Sequence, residues 1–158
     1  MNWINTFALW LIGAPVSSLF LPQFMFWTRY DSTSLRDAKN DAHDGEIGGS
    51  GKFNIRTGAP AGSAGNGTLL AELVGNATAF FGASSSGVLT SNAITADSSA
   101  NADGTAGHYE LLTSGSAFVE SGICDEGGTD GVTIDNDNIA TGQTVQVSGN
   151  WTKTAPNA

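Results

Sequence analysis

Between residues 57 and 152 the sequence contains no lysine or arginine, although ten carboxylates fall in the same stretch. Bare nucleic acid is thereby excluded as a partner of this region, because phosphate binding works through Lys and Arg displacing condensed counterions. Cysteine is almost absent as well. With Cys124 alone, neither an intrachain disulfide nor a cysteine-based metal cluster can form within one chain. Its neighbours Asp125 and Glu126 raise a thiol pKa, which argues against an activated thiolate. Charged residues make up only 13% of the chain, against roughly a quarter in ordinary domains. No repeat of solenoid or propeller length is visible.

Signatures of nucleotide and hydrolase chemistry are incomplete. Gly49-Ser50-Gly51-Lys52 suggests a phosphate loop, but Phe53 stands where Ser or Thr is required and Glu46 where the first glycine belongs. Gly82-Ala83-Ser84-Ser85-Ser86-Gly87 lacks the spacing of a nucleophile elbow. His43 and His108 are the only histidines. His43 falls on the charged face of an expected helix and is read as solvated, and His108 beside Tyr109 is read as a packed or surface strand residue. No catalytic residue, metal ligand or cofactor-binding residue is assigned, and the chain is not expected to be an enzyme or to need a cofactor.

What is present divides the chain in two. Residues 1–28 carry no charge and include Trp3, Phe7, Trp10, Phe20, Phe24, Phe26 and Trp27. A membrane anchor over 4–27 is one reading, since about 20 apolar residues span a bilayer, but Pro15 and Pro22 interrupt a helix. A signal peptide is disfavoured by the missing basic n-region and small-residue cleavage site. The third reading is an apolar arm buried against another subunit, or a start placed upstream of Met25. The expected organisation is therefore an apolar arm or anchor over 1–31 and one β-domain over 32–158.

Within that domain, 34–44 reads as a short helix, with Ser34 as N-cap, Gly45 as terminator and Leu35, Ala38 and Ala42 on one apolar face. After Gly51 the period changes to two. Strands are expected at 52–56, 68–74, 77–81, 87–94, 107–112, 117–124, 131–134 and 143–151, separated by turn signals such as Asn66-Gly67, Asp103-Gly104, Ser114-Gly115 and Thr141-Gly142. About eight short strands with one leading helix point to a mainly β fold, an antiparallel sandwich or barrel.

Asp135-Asn136-Asp137-Asn138 resembles the start of a calcium loop, yet Ala140 and Gln146 occupy the positions that need Gly and Glu, which excludes an EF-hand. A looser calcium cage from Asp125, Asp130, Asp135 and Asp137 stays open beside the alternative of an Asx-rich loop. Asn66, Asn76 and Asn150 head glycosylation-type tripeptides, which chance supplies readily in a chain this rich in Asn and Thr.

The order of short motifs over 34–154 resembles a family of small virion-associated structural proteins of tailed bacteriophages. The resemblance rests on Leu35-Arg36-Asp37-Ala38, Phe53-Asn54-Ile55-Arg56-Thr57-Gly58-Ala59-Pro60, Gly67-Thr68-Leu69-Leu70-Ala71-Glu72-Leu73, Phe81-Gly82-Ala83-Ser84, Gly87-Val88-Leu89-Thr90 and Ile139-Ala140-Thr141-Gly142-Gln143. It implies a jelly-roll-like β-sandwich that acts in the virion as a non-enzymatic oligomer decorating or cementing the capsid, with the major capsid protein or another virion protein as partner. The alternative is a tail-fibre or surface adhesin module recognising carbohydrate, with calcium in Asp-rich loops and with Tyr109 and Trp151 as exposed stacking platforms.

Overall fold

The computed structural model describes residues 30–127 and 131–156. The arm or anchor expected over 1–31 therefore lies outside the described residues except for Tyr30 and Asp31, as does Asp130 of the suggested calcium cage. Among the described residues, no helix is long and apolar enough to cross a membrane.

A single helix, α1 (Thr33–Ile47), leads the described chain. Its cap is Ser32, whose Oγ accepts from Leu35 N at 3.2 Å, two residues earlier than the Ser34 expected. It ends at Gly48, which adopts φ 68° and donates its N–H to Asp44 O. Gly45 sits inside the helix, because burial of Ile47 against the domain holds the last turn beyond it. The face that docks is also the reverse of the expected one. Leu35, Ala38 and Ala42 are exposed, whereas Asn40 and Ile47 are buried and Arg36, Asp37, His43 and Asp44 are partly covered.

The reason is local demand for acceptors. The segment that crosses beneath α1 makes little ladder of its own, and its backbone donors must be satisfied. Phe81 N donates to Asp44 Oδ1 at 2.7 Å, Ser84 N to Asp41 Oδ1 at 2.9 Å and Gly87 N to Asp37 Oδ1 at 2.6 Å. One leucine and two alanines offer too little apolar area to outweigh those three bonds. Arg36 completes the attachment by donating to Ser86 O and Ala155 O.

Nine strands follow: β1 (Lys52–Arg56), β2 (Leu69–Val74), β3 (Val88–Thr90), β4 (Gly104–Thr105), β5 (His108–Leu112), β6 (Phe118–Asp125), β7 (Val132–Thr133), β8 (Asn138–Ile139) and β9 (Thr152–Thr154). Five of them form one sheet in the order β2-β1-β5-β6-β7. Its first four strands are antiparallel, and β7 runs parallel to β6. The remaining strands form two antiparallel pairs, β3 with β9 and β4 with β8. The result is a mostly β domain with one helix and a mixed sheet, where an all-antiparallel arrangement was expected.

Register assigns the two faces of the sheet. Leu73, Phe53 and Leu111 lie side by side, as do Ala71, Ile55 and Tyr109, and all six are buried. Over them pack Phe80, Phe81 and Trp151. Phe53 stacks on Tyr109 with centroids 4.9 Å apart, and Trp151 meets Tyr109 edge-on at 5.1 Å. The opposite face carries Asn54, Glu110 and His108, which are nonetheless buried, because the loop between β1 and β2 folds back across them.

Strand expectations at 52–56, 68–74, 107–112 and 117–124 match β1, β2, β5 and β6 closely. The run 77–81 forms no strand, and 143–151 contributes only isolated bridges at Val145 and Val147 before β9. In both, alternation is present but no neighbouring strand lies alongside for more than a residue.

Candidate functional site

Seven carboxylates, Asp37, Asp41, Asp44, Asp97, Asp103, Glu110 and Asp135, each accept at least one hydrogen bond from a backbone N–H of a loop or turn. The acid-rich composition thus has an internal use: loops without ladder partners take their acceptors from side chains. At Asp103 the Thr141 backbone N–H, 2.6 Å away, and then the Thr141 side chain hold the carboxyl below its ordinary pKa.

Two of the ionic clusters are buried enough to be considered as sites. The first joins three elements at Glu120 on β6. His43 Nε2 from α1 lies 3.0 Å from Glu120 Oε2, Lys153 Nζ from β9 bonds the same oxygen, and Lys153 Nζ is 3.0 Å from His43 Nε2. Tyr109 donates its hydroxyl to Glu120 Oε1 at 3.3 Å. Burial works to raise the Glu120 pKa, but hydrogen bonds from His43 and Lys153 and their charges outweigh it, and the carboxyl ends below its ordinary value. Tyr109 is pushed up, first by burial and then by the Glu120 charge. Glu120 is therefore an ionised acceptor and Tyr109 a neutral donor, an arrangement suited to clasping helix, sheet and final strand together.

The second cluster lies on the opposite face. Glu110 is fully buried and accepts from Arg56 Nε at 2.6 Å, Gly65 N at 2.7 Å and Asn66 N at 3.2 Å. His108 is equally buried, with Nδ1 3.1 Å from Gly58 O. A carbonyl only accepts, so Nδ1 carries the hydrogen. Its Nε2 faces Glu110 Oε1 at 3.8 Å without a hydrogen-bond partner. Ser121 Oγ adds a bond to Ala61 O at 2.6 Å. These contacts latch the β1–β2 loop onto the sheet.

The residues singled out from sequence lie partly where expected. His43 is not a solvated helix residue but part of the Glu120 clasp. His108 is packed, one of the two environments foreseen for it. Cys124 is 1% exposed, and burial first, Asp125 second, push its thiol up to about 12. Tyr109 is buried and offers no free ring face for a sugar, while Trp151 is half-buried and packed against Phe53, Phe80, Phe81 and Tyr109.

Asp135 Oδ1 accepts from Gln146 N, and Asn136 closes an Asx turn onto Asn138 N. Among the described residues, no three His, Cys, Asp or Glu side chains are gathered to hold a metal ion. Gly49 lies against the Ala77 carbonyl so closely that an added Cβ would sit 2.0 Å from it, which makes the segment a tight crossing rather than a phosphate cradle.

Sequence reasoning missed Arg56, Glu110, Glu120 and Lys153. One signal was available for the last. A lone cation after 96 residues without another, in a chain this acidic, must lie close to some carboxylate, although the sequence does not say which.

Beside the clasp, Thr133, Val147, Ser148, Asn150, Trp151 and Thr152 line an open groove of about 190 Å³. Compared with protein-family models, curated protein sequences and solved structures, the chain shows no match.

Proposed function

We propose that this protein is a non-enzymatic structural component of a bacteriophage virion, whose β-domain decorates or cements the capsid as an oligomer. The observation that carries this reading is the use of seven carboxylates as acceptors for backbone N–H groups, which ties loops to the helix, to the sheet and to one another. A module bound this way holds its surface shape under load, which suits a structural role. The order of small-residue motifs over 34–154 supports the virion assignment. In the same reading the domain is a jelly-roll-like sandwich, with the β3–β9 and β4–β8 pairs serving as the layer opposite the five-stranded sheet.

Quantitative mass spectrometry of purified particles tests it. The expected result is a copy number in the hundreds, as coverage of a capsid lattice requires. Deleting residues 1–30 should leave a soluble folded domain that no longer joins the particle. Absence of the chain from particles would overturn the virion reading, and normal incorporation of the truncation would overturn the anchoring role of the arm.

A second reading, carbohydrate binding by an adhesin-type module, is favoured by the groove with its hydroxyl and amide lining beside the Trp151 indole. It predicts that glycan binding changes Trp151 fluorescence, an effect lost in Asn150→Ala.

A further inference from the structure

His43 Nε2 stands 3.0 Å from two groups that make opposite demands on it. Lys153 Nζ is an ammonium and only donates, so its contact requires a lone pair on Nε2. Glu120 Oε2 belongs to a carboxylate and only accepts, so its contact requires a hydrogen there. One ring nitrogen supplies one or the other. Nδ1 is buried without a hydrogen-bond partner among the described residues, so nothing on that side fixes which form the ring takes. The other Glu120 oxygen, Oε1, is already taken by the Tyr109 hydroxyl. The titratable groups facing the ring are thus Glu120 from β6 and Lys153 from β9, with Tyr109 of β5 behind the carboxylate. The segment beneath α1 presents the uncharged Phe81 ring, 6.1 Å away between centroids. On α1 itself Lys39 is paired with Asp31, Asp44 is bound to Phe81 N and Glu46 is exposed.

We propose that His43 is a proton-operated release for the final strand: on taking up a proton at Nε2 it replaces Lys153 on Glu120 Oε2 and frees β9 from β6 and α1. With Nε2 unprotonated, Lys153 donates to both His43 and Glu120, and its ammonium joins the three elements. Protonation sets two cations 3.0 Å apart over one carboxylate oxygen, and their repulsion expels one of them. Lys153 is the one that leaves. Its side chain is 31% exposed and reaches water, whereas His43 is fixed by the docking of α1 through Asp37, Asp41 and Asp44. The helix stays joined to β6 through His43 and Glu120, so the loss falls on β9 alone. What then holds β9 is three residue pairs with β3, together with the bonds of Trp151 to Ser91 and of Ala155 to Gly87 and Arg36. A two-stranded pair that short is marginal without support. Trp151 and Thr152 also line the groove, which loosens with the strand.

The release is independent of the virion assignment and is tested on the purified full chain. Hydrogen exchange followed by NMR gives a protection factor for each amide once the intrinsic pH dependence of exchange is divided out. Between about pH 7.5 and about pH 5.5, a span in which imidazoles ordinarily titrate, Glu120 stays ionised. Over that span protection in Thr152–Thr154 should fall about tenfold, a loss between those for exposed and buried ion pairs. Amides of β5 in the same molecule should keep their protection, which shows that the domain stays folded. His43→Gln takes up no proton and should show no such fall. Lys153→Gln should have the lower protection at both pH values. A wild-type β9 equally protected at the two pH values, or a fall that persists in His43→Gln or in Lys153→Gln, would overturn the release.

Discussion

Arg56 Nε lies 2.6 Å from Glu110 Oε2 across adjacent strands, and the carboxylate of this pair is wholly buried. The two side chains are offset by two residue pairs in the β1–β5 ladder, on the same face, since Arg56 stands opposite His108 and Asn54 opposite Glu110. A buried charge requires both a counterion and hydrogen bonds on its remaining lone pairs. Gly65 N and Asn66 N supply the latter, which makes closure of the β1–β2 loop part of the same cluster.

Glu110→Gln should therefore act on two scales. Stability falls by about 3 kcal/mol, because the Arg56 guanidinium loses its buried partner. Urea denaturation measures that loss. The loop should also open, and elastase should cut among Ala59, Ala61 and Ala64 in the variant well before it cuts the wild type.

Glu120 gives the molecule an acid-sensitive clasp. Its folded-state pKa lies below the ordinary 4.5, so the clasp contributes fully above that value and is lost as pH falls through the folded-state value. Thermal unfolding between roughly pH 5 and pH 3 should fall more steeply in the wild type than in Glu120→Gln. At neutral pH the variant should be less stable by about 2 kcal/mol, between the ranges for exposed and buried pairs. Parallel acid limbs would show that the clasp contributes nothing.

Cys124 should be inert in the native protein. With its pKa pushed up to about 12 and 1% of its surface exposed, it should not react with a disulfide reagent at about pH 8, where an ordinary thiol reacts. Full reaction should appear on denaturation. Rapid native labelling would contradict the packing around β6 and β7.

Helix α1 offers a test of its inverted docking. Ala42→Glu, on the exposed face, should change stability by less than about 0.5 kcal/mol. Asn40→Leu, although more apolar, removes the bond from Asn40 Nδ2 to Ser84 Oγ at 3.1 Å and should cost about 1–2 kcal/mol. The opposite ranking in chemical denaturation would restore the apolar face as the docking face.

Gly122 is required by the ring beneath it. A Cβ at this position would lie 2.7 Å from Tyr109 Cε1 and 2.8 Å from its hydroxyl, and Tyr109 is held between Phe53 and Trp151. Gly122→Ala should destabilise by about 1–3 kcal/mol through overpacking, with a change in near-ultraviolet circular dichroism from the displaced rings.

Much of the secondary structure was legible because it is written locally. The alternation Lys52-Phe53-Asn54-Ile55-Arg56 and the apolar run at Leu69 and Leu70 mark β1 and β2 without reference to anything distant. The two-residue pairs were not legible: β4 and β8 exist only because Gly104 meets Ile139 and Thr105 meets Asn138, and two residues carry no period. The site was less legible still. His43 and Glu120 are 77 positions apart, and Lys153 and His43 are 110 apart.

By itself the sequence determined a β-rich chain with one leading helix, a thiol without activation and a long region free of cations. Only the tertiary structure decided what the carboxylates are for. Composition fixes how many charges a segment carries, but whether a carboxylate faces water, a backbone N–H or a lysine depends on which distant segment folds across it. In this protein the acid-rich stretch is bound inward by its own loops at Asp97, Asp103, Glu110 and Asp135, and by His43 and Lys153 at Glu120.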